Sequence, residues 1–542
     1  MNHVFFARFD LTFTFLNYYI RGIPTLGFGI PHWVLGSHVY RTFCECGCSG
    51  ANGPFKLSPR AHCKVGGDPL KNKKRTCKCA PNQIKTTCML AKIASLVPPT
   101  VEERKHITAL QEAKTLCQMV WEVLGIVRYL TRCILEEEIS RRNEDCKPDE
   151  PCPHCGSRLT SKGLVNRQIT TLVGRINFRR SGYRCPNQCK GKDGKGIYIT
   201  PLDQQLGLEP YQMTSWEVKS LATLLCVFVP YSLASHLLHR LQQVQIDETT
   251  LWRWVQEAGE RARHIWEQRL QTSEVEAEPL NPQIAQLMMV LAADGVMVPF
   301  RPQVGTPKGK TSWKEVKIAV IARLQEIKTA SGKLYTRLVQ RRLVAVLALK
   351  RRMTWETKRQ SIEKAPQVVW LSDGGVGFWR VFRECFSGCA VGILDFYHAA
   401  SHLSKAAHAY LYKDSLGAKL LFEAWRHLLR HGKHLKVLKS LTLLVNTVKL
   451  PKEQMDALKQ VQDYFATHRR HIAYANFEAE KFPLGSGLVE SACKWLIQQR
   501  FKGVGMRWSE RGFENLLYLR LEWVNNRFDA LFPESALIPP QP

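Results

Sequence analysis

The chain has 542 residues, and 77 Lys and Arg outweigh 47 Asp and Glu to give a formal net charge of +30. That length is too great for one compact core, so roughly two to four domains are expected. The 45% hydrophobic fraction is enough to build real cores, and the charge imbalance calls for a polyanionic partner, with nucleic acid first in line.

The chain contains 18 cysteines, which cluster along the sequence and do not form one spaced disulfide framework. No secretory signal stands out. The apolar stretch 1–40 is interrupted by Arg8, Asp10 and Arg21, and prolines and glycines break the segment from Gly22 to Tyr40. No membrane helix is expected there. A reduced, cytoplasmic setting follows, in which cysteine pairs suggest a metal before a disulfide.

In chain order, residues 1–95 read as an irregular extension rich in Cys and Lys, and 96–145 as helical. The cysteines of the extension (Cys44, Cys46, Cys48, Cys63, Cys77, Cys79 and Cys88) are odd in number and are assigned no ligand role. Residues 146–200 read as a β module, bounded by Cys152 and Cys155 on one side and Cys185 and Cys189 on the other. Between the pairs, Ile169 and Thr171 alternate with polar neighbours, Gly174 offers a turn, and Ile176 and Phe178 resume the alternation. This is a hairpin pattern. Cysteine pairs at the two ends of a hairpin can converge on one structural Zn²⁺, as in a zinc ribbon.

Residues 201–275 read as helical. The stretch 232–242 and the segment after Asp247 form two helices around a short break, with Asp247 or Thr249 as cap and Arg253, Arg261 and Arg263 on the second. The arrangement suits a helix-turn-helix that reads DNA, or simply two packed helices. Of Trp252 and Trp254, at least one belongs in a core.

Residues 283–530 carry the chemistry. Leu287 to Ala293 is an apolar run ending in Asp294-Gly295, and Val368 to Leu371 is a second, ending in Ser372-Asp373-Gly374-Gly375. Both read as buried strands. Further on, Gly485 and Gly487 precede a helix bearing Glu490. Taken alone, each acid suits a turn or a solvated helix face. Taken together they form a carboxylate cluster whose mutual repulsion asks for cations. Two Mg²⁺ or Mn²⁺ ions, with their preference for oxygen, fit in-line displacement at phosphorus.

At this point the sequence resembles the DDE transposases of bacterial insertion sequences, specifically the ISKra-type group of the mutator-like lineage. The likeness covers roughly residues 146–530. It rests on the three acids, on the D-x-x-H element Asp395–His398, on the segment from Thr311 to Ile321, on the segment from Arg500 to Arg520, and on the paired cysteines upstream. It implies an RNase H-like α/β catalytic domain with an all-helical insertion at about 399–480, and Asp294, Asp373 and Glu490 as the metal-holding triad. Asp395 also follows an apolar strand and competes for second place. The mutator-like pattern favours Asp373 and leaves Asp395 and His398 auxiliary. Their other reading is an N-cap and a satisfied histidine.

Past Glu490, Lys494, Arg500, Lys502 and Arg507 alternate with aromatic residues, as suits backbone contact and base stacking. With Arg253 they are the expected DNA contacts. The partners expected are double-stranded DNA, at element ends and target, and further copies of the chain in a dimer or larger assembly, with no membrane. The alternatives are a zinc-dependent DNA-binding regulator without nuclease activity and another RNase H-like nuclease such as a resolvase.

Overall fold

The computed structural model describes residues 101–533, apart from 149, 192–193, 273, 303–310, 329–333, 346–348 and 413. The extension 1–95 and its cysteines lie outside the described residues.

A long helix, α1 (Leu116–Asp145), is held at its start by a capping box between Thr115 and Gln118. The module after it is the hairpin β1 (Thr160–Thr171) and β2 (Gly174–Arg184), with β3 (Tyr198–Ile199) added at the edge. The register pairs Ile169 with Ile176 and closes at Thr171 and Gly174, where the alternation puts the turn. Ile169, Ile176 and Phe178 pack with Ile139 of α1 and with Leu202. Beside them the buried Asp203 carboxylate receives Arg167 at 2.7 Å and pairs with Arg180.

Three helices follow: α2 (Trp216–Phe228), α3 (Tyr231–Gln242) and α4 (Glu248–Gln271). The α3–α4 turn has no glycine, and Gln243 takes the left-handed conformation in its place, at φ 55°. Asp247 caps α4 by accepting the Thr250 N–H at 2.9 Å. Trp252 and Arg253, in the second turn of α4, are exposed, whereas Trp254 is 7% exposed. The rest of α4 belongs to the main core. Its Trp266 indole donates to Glu522 at 2.7 Å on the final helix, Glu510–Val524, and the apolar faces of α2, α3 and α4 share one cluster with the central sheet.

That sheet has five strands: β4 (Met288–Phe300), β5 (Ser312–Lys328), β6 (Leu334–Ala345), β7 (Val368–Ser372) and β8 (Val391–Leu394). Their spatial order is β6-β5-β4-β7-β8, with β4, β5 and β6 antiparallel and β4, β7 and β8 parallel. This mixed sheet flanked by helices is compatible with an RNase H-like domain. β4 and β7 are buried on both faces, which is why they read as unbroken apolar runs and not as alternation.

Helix α5 (Leu349–Arg359) connects β6 to β7, and α6 (Val376–Val381) follows β7. After β8 comes a run of helices: α7 (Phe396–Tyr410), α8 (Ser415–Arg430), α9 (His434–Thr447) and α10 (Lys452–Thr467). The chain then returns through α11 (Gly487–Ala492), continued by a wider turn over Cys493–Gln498, and ends on α12 (Glu510–Val524). Buried charges tie the final helix in, with Arg527 meeting Glu356 at 3.1 Å and Glu522 at 3.3 Å. Among the described residues no helix is long and apolar enough to cross a membrane.

Candidate carboxylate and cysteine sites

Strand register brings the acids together. Ala293 on β4 pairs with Ser372 on β7, and Ser372 pairs with Leu394 on β8. One residue on in each strand stands an aspartate, so Asp294, Asp373 and Asp395 form a row across three neighbouring strands, where β7 and β8 end and β4 runs on. The Asp395 N–H donates to the Ser372 carbonyl at 2.9 Å, which continues that pairing.

The three aspartates are held differently. Asp294 is half-buried, and its Oδ2 faces the Cys493 thiol at 3.6 Å. Burial first, then the Asp373 carboxylate, push Asp294 above its ordinary range. Asp373 is half-buried too, and its Oδ1 accepts the Gly375 N–H at 3.0 Å. The Trp379 indole fixes the turn by donating to the Asp373 carbonyl at 2.6 Å. The Tyr464 ring of α10 lies so close to Gly374 that a Cβ there would be 2.0 Å from it, so the turn admits no larger residue.

Asp395 is fully buried. It caps α7: its Oδ1 accepts the His398 N–H at 2.6 Å and the His398 ring Nδ1 at 3.0 Å, and its Oδ2 accepts the Ser486 N–H. Burial alone would raise this carboxyl, but the His398 and Ser486 hydrogen bonds outweigh it and hold it below its usual value. The same bond from Asp395 pushes His398 up to about 9, and Asp373 and Glu490 add to the shift. The N-cap and satisfied-histidine reading of the D-x-x-H element describes these contacts, and His398 also lies near the other carboxylates.

Glu490, from α11, accepts the Ser486 hydroxyl at 2.8 Å. One ligand atom each from Asp395, His398 and Glu490 fall within 4.8 Å of one another and could hold a metal ion. Among the described residues Asp294, Asp373 and Glu490 do not form so tight a group. Asp294 and Glu490 both act on the Cys493 thiol, which is raised by burial first and then by these two acids.

Sequence reasoning missed three residues here: Ser486, Cys493 and Tyr464. The first two carry a signal in hindsight. Ser486 stands four residues before Glu490 and Cys493 three after it, so helical spacing sets both beside that acid. Tyr464 arrives from the helical insertion, and no local pattern announces it.

The segment past Glu490 divides. Lys494, Lys502 and Arg507 are exposed, and Lys502 lies 5.6 Å over the exposed Trp313 ring. Arg500 is 2% exposed, and its Nε donates to the Cys226 carbonyl at 3.1 Å. The expectation of a DNA contact at Arg500 is corrected on this point, because its guanidinium is buried inside the protein. Arg253 is exposed on the second turn of α4.

In the β module, Cys152, Cys155, Cys185 and Cys189 bring one sulfur each to within 4.8 Å of one another, a set that could bind zinc. The first pair precedes β1 and the second follows β2, so closing the hairpin closes the site. Hydrogen bonds to Ser157, and to Cys185 and Cys189, lower Cys155 to about 5, whereas Cys155 and Cys185 drive Cys189 up to about 12. One thiolate thus opposes the next. A divalent cation would relieve this by favouring all four in the deprotonated form.

No protein-family model and no curated protein sequence matches this chain. Among solved structures, the Drosophila P element transposase strand transfer complex aligns with a TM-score of 0.27 and 12% identity, over 61% of this chain and 95% of that one.

Proposed function

We propose that the chain is a DNA transposase of the DDE type. It would bind the terminal inverted repeats of its own insertion sequence, cleave there, and transfer the 3′-hydroxyl ends to target DNA. What supports the reading most is the register that lines up Asp294, Asp373 and Asp395 on adjoining strands, with Glu490 close by.

Asp294, Asp373 and Glu490 are the residues assigned to hold two Mg²⁺ or Mn²⁺ ions. The donor set is carboxylate oxygen, and burial first and then Asp373 raise Asp294, a shift that a bound cation would oppose. When bound, the ions would clamp the attacking and leaving oxygens of an in-line displacement. Asp373 is preferred to Asp395 because both Asp395 oxygens are already taken by hydrogen bonds and the side chain is buried. Asp395 is then a positioning residue. It holds the His398 imidazole by Nδ1 and keeps it protonated at neutral pH, a cation beside the carboxylates that can meet a phosphate oxygen.

Lys494, Lys502, Arg507 and Arg253 are the assigned DNA backbone contacts. The cysteine set would hold one structural Zn²⁺. Acting on two ends at once calls for a dimer or larger assembly.

The test is metal-dependent nicking of DNA that carries the element's ends. Asp294→Asn, Asp373→Asn and Glu490→Gln should each retain end binding and zinc content and lose cleavage and strand transfer. Normal strand transfer by Asp373→Asn beside an inactive Asp395→Asn would move the second acid to Asp395. End binding by the wild type without any nicking would leave a zinc-dependent DNA-binding regulator.

A further inference from the structure

Next to the carboxylates, between the start of α7 and the end of α8, lies a cleft of about 350 Å³ that the proposed chemistry does not use. Its walls carry Tyr397, Arg426, Arg430, His427 and His431, against one carboxylate, Glu423. Tyr397 stands between Asp395 and His398 in the chain, and its side chain is 65% exposed. Its ring occupies the space a side chain at position 485 would need: a Cβ on Gly485 would be 2.8 Å from the Tyr397 ring and 3.8 Å from Asp395 Oδ2. One wall of the cleft is therefore continuous with the acid row.

Both arginines of the cleft already have a carboxylate partner. Arg430 sits 5.2 Å over the Phe396 ring and pairs with Glu478. Arg426 meets Glu423 at 3.2 Å in an exposed pair three residues apart, an interaction weak enough for a phosphate to displace. His427 and His431 lie one helical turn apart, with ring centroids separated by 4.3 Å.

An aromatic ring and two guanidinium groups lining one cleft match one nucleotide unit, with the base on the ring and the phosphate on the arginines. We propose that this cleft receives an unpaired nucleotide of the DNA strand adjoining the scissile phosphate, stacked on Tyr397 and held through its phosphate by Arg426 and Arg430. The proposal rests on the nuclease reading of the acid row. It gives the site a preference for DNA that is already open, or easily opened, beside the cut. The chain would take hold of such a base when the strand is splayed, at the expense of some base stacking.

The experiment compares a blunt duplex with the same duplex carrying a short single-stranded thymidine tail, by fluorescence anisotropy. It uses the full chain with Asp294→Asn to prevent cutting. Losing one stacked base at about 1.4 kcal/mol predicts that Tyr397→Ala weakens binding of the tailed duplex about tenfold. Blunt-duplex binding should stay unchanged, Tyr397→Phe should restore tail binding, and Arg426→Gln should lower it without touching the blunt duplex. A 5-iodouracil placed in the tail should crosslink to Tyr397. Equal loss on both duplexes, or no loss on either, would overturn the assignment. Cleavage is not the readout. A tail preference in a chain that never nicks DNA would sink the nuclease reading and spare the cleft, and nicking without tail preference would do the reverse.

Discussion

His468 links the helical insertion to the acid row, and its protonation should set the acid limit of the fold. It is 5% exposed, with its ring 4.9 Å from Trp379 and 5.2 Å from Tyr464. Burial first, then the neighbouring His471, lower it from 6.5 to about 4, against an opposing contribution from the Gly374 backbone. Above pH 6.5 both folded and unfolded chains carry the neutral ring, and the residue adds no pH dependence. As pH falls from 6.5 towards 4 the unfolded chain takes up a proton that the folded chain refuses, so stability is lost over that window and levels off below it. A depression of about 2.5 units at about 1.36 kcal/mol each gives a loss of about 3 kcal/mol. His471 is lowered by burial as well and acts with the same sign. His468→Phe keeps the ring contacts and removes the proton site. Urea unfolding at pH 7.5 and pH 4.5 should show the wild type losing most of those 3 kcal/mol relative to the variant. The Trp379 indole holds the Asp373 carbonyl, so any DNA cleavage should fall over the same window in the wild type and fall less in the variant. Identical pH slopes for the two proteins would refute the claim that a buried neutral histidine holds this junction.

Other expectations follow from the same contacts. Lys502→Ala and Arg507→Ala should each lower the slope of log K against log salt by about 0.9, as expected for one lost phosphate contact, whereas Arg500→Gln should leave the slope alone and cost about 1.5–3 kcal/mol of stability through the lost bond to the Cys226 carbonyl. A slope change with Arg500→Gln and none with Lys502→Ala would reverse that division. Removing zinc with a chelator, or replacing Cys185 with serine, should open the amides of β1 and β2 to hydrogen exchange and leave those of β4 and β7 protected. Uniform exchange in both sheets would contradict a metal-closed module. The first half of α1 exposes Leu116, Met119, Val120, Trp121, Leu124 and Val127. If this apolar face joins copies of the chain, Trp121→Glu with Val127→Glu should convert a dimer to monomer in sedimentation velocity, and a monomeric wild type would refute it.

How much of this could be read from the sequence depends on the range of the interaction that decides each feature. β4 and β7 were legible because strands buried on both faces must be apolar throughout. The cysteine set was legible because its pairs are local and its hairpin closes through an alternation within twenty or so residues. The fate of Arg500 was not legible. A charge in the sequence gives no sign of whether a carbonyl waits for it, and the one that takes it, at Cys226, comes from a helix far earlier in the chain. The same holds for α4, where the cap Asp247 is a local signal but the Trp266–Glu522 bond that commits the helix to the main core spans 256 positions.

The contest between Asp373 and Asp395 shows where motif reading stops and geometry takes over. Each follows an apolar strand, and in-register parallel pairing puts the two side by side at the same edge, so position cannot separate them. Hydrogen bonding can. Asp395 spends both oxygens on the α7 cap and the Ser486 amide, and a ligand bound there would have to compete with donors already in place. Asp373 gives one oxygen to its own turn and remains partly open to solvent. A carboxylate that binds a cation must exchange water for metal during turnover, whereas one that orients a helix and a histidine gains from never doing so. Under the proposed function, this difference is what assigns Asp373 to the reacting side and Asp395 to the support behind it.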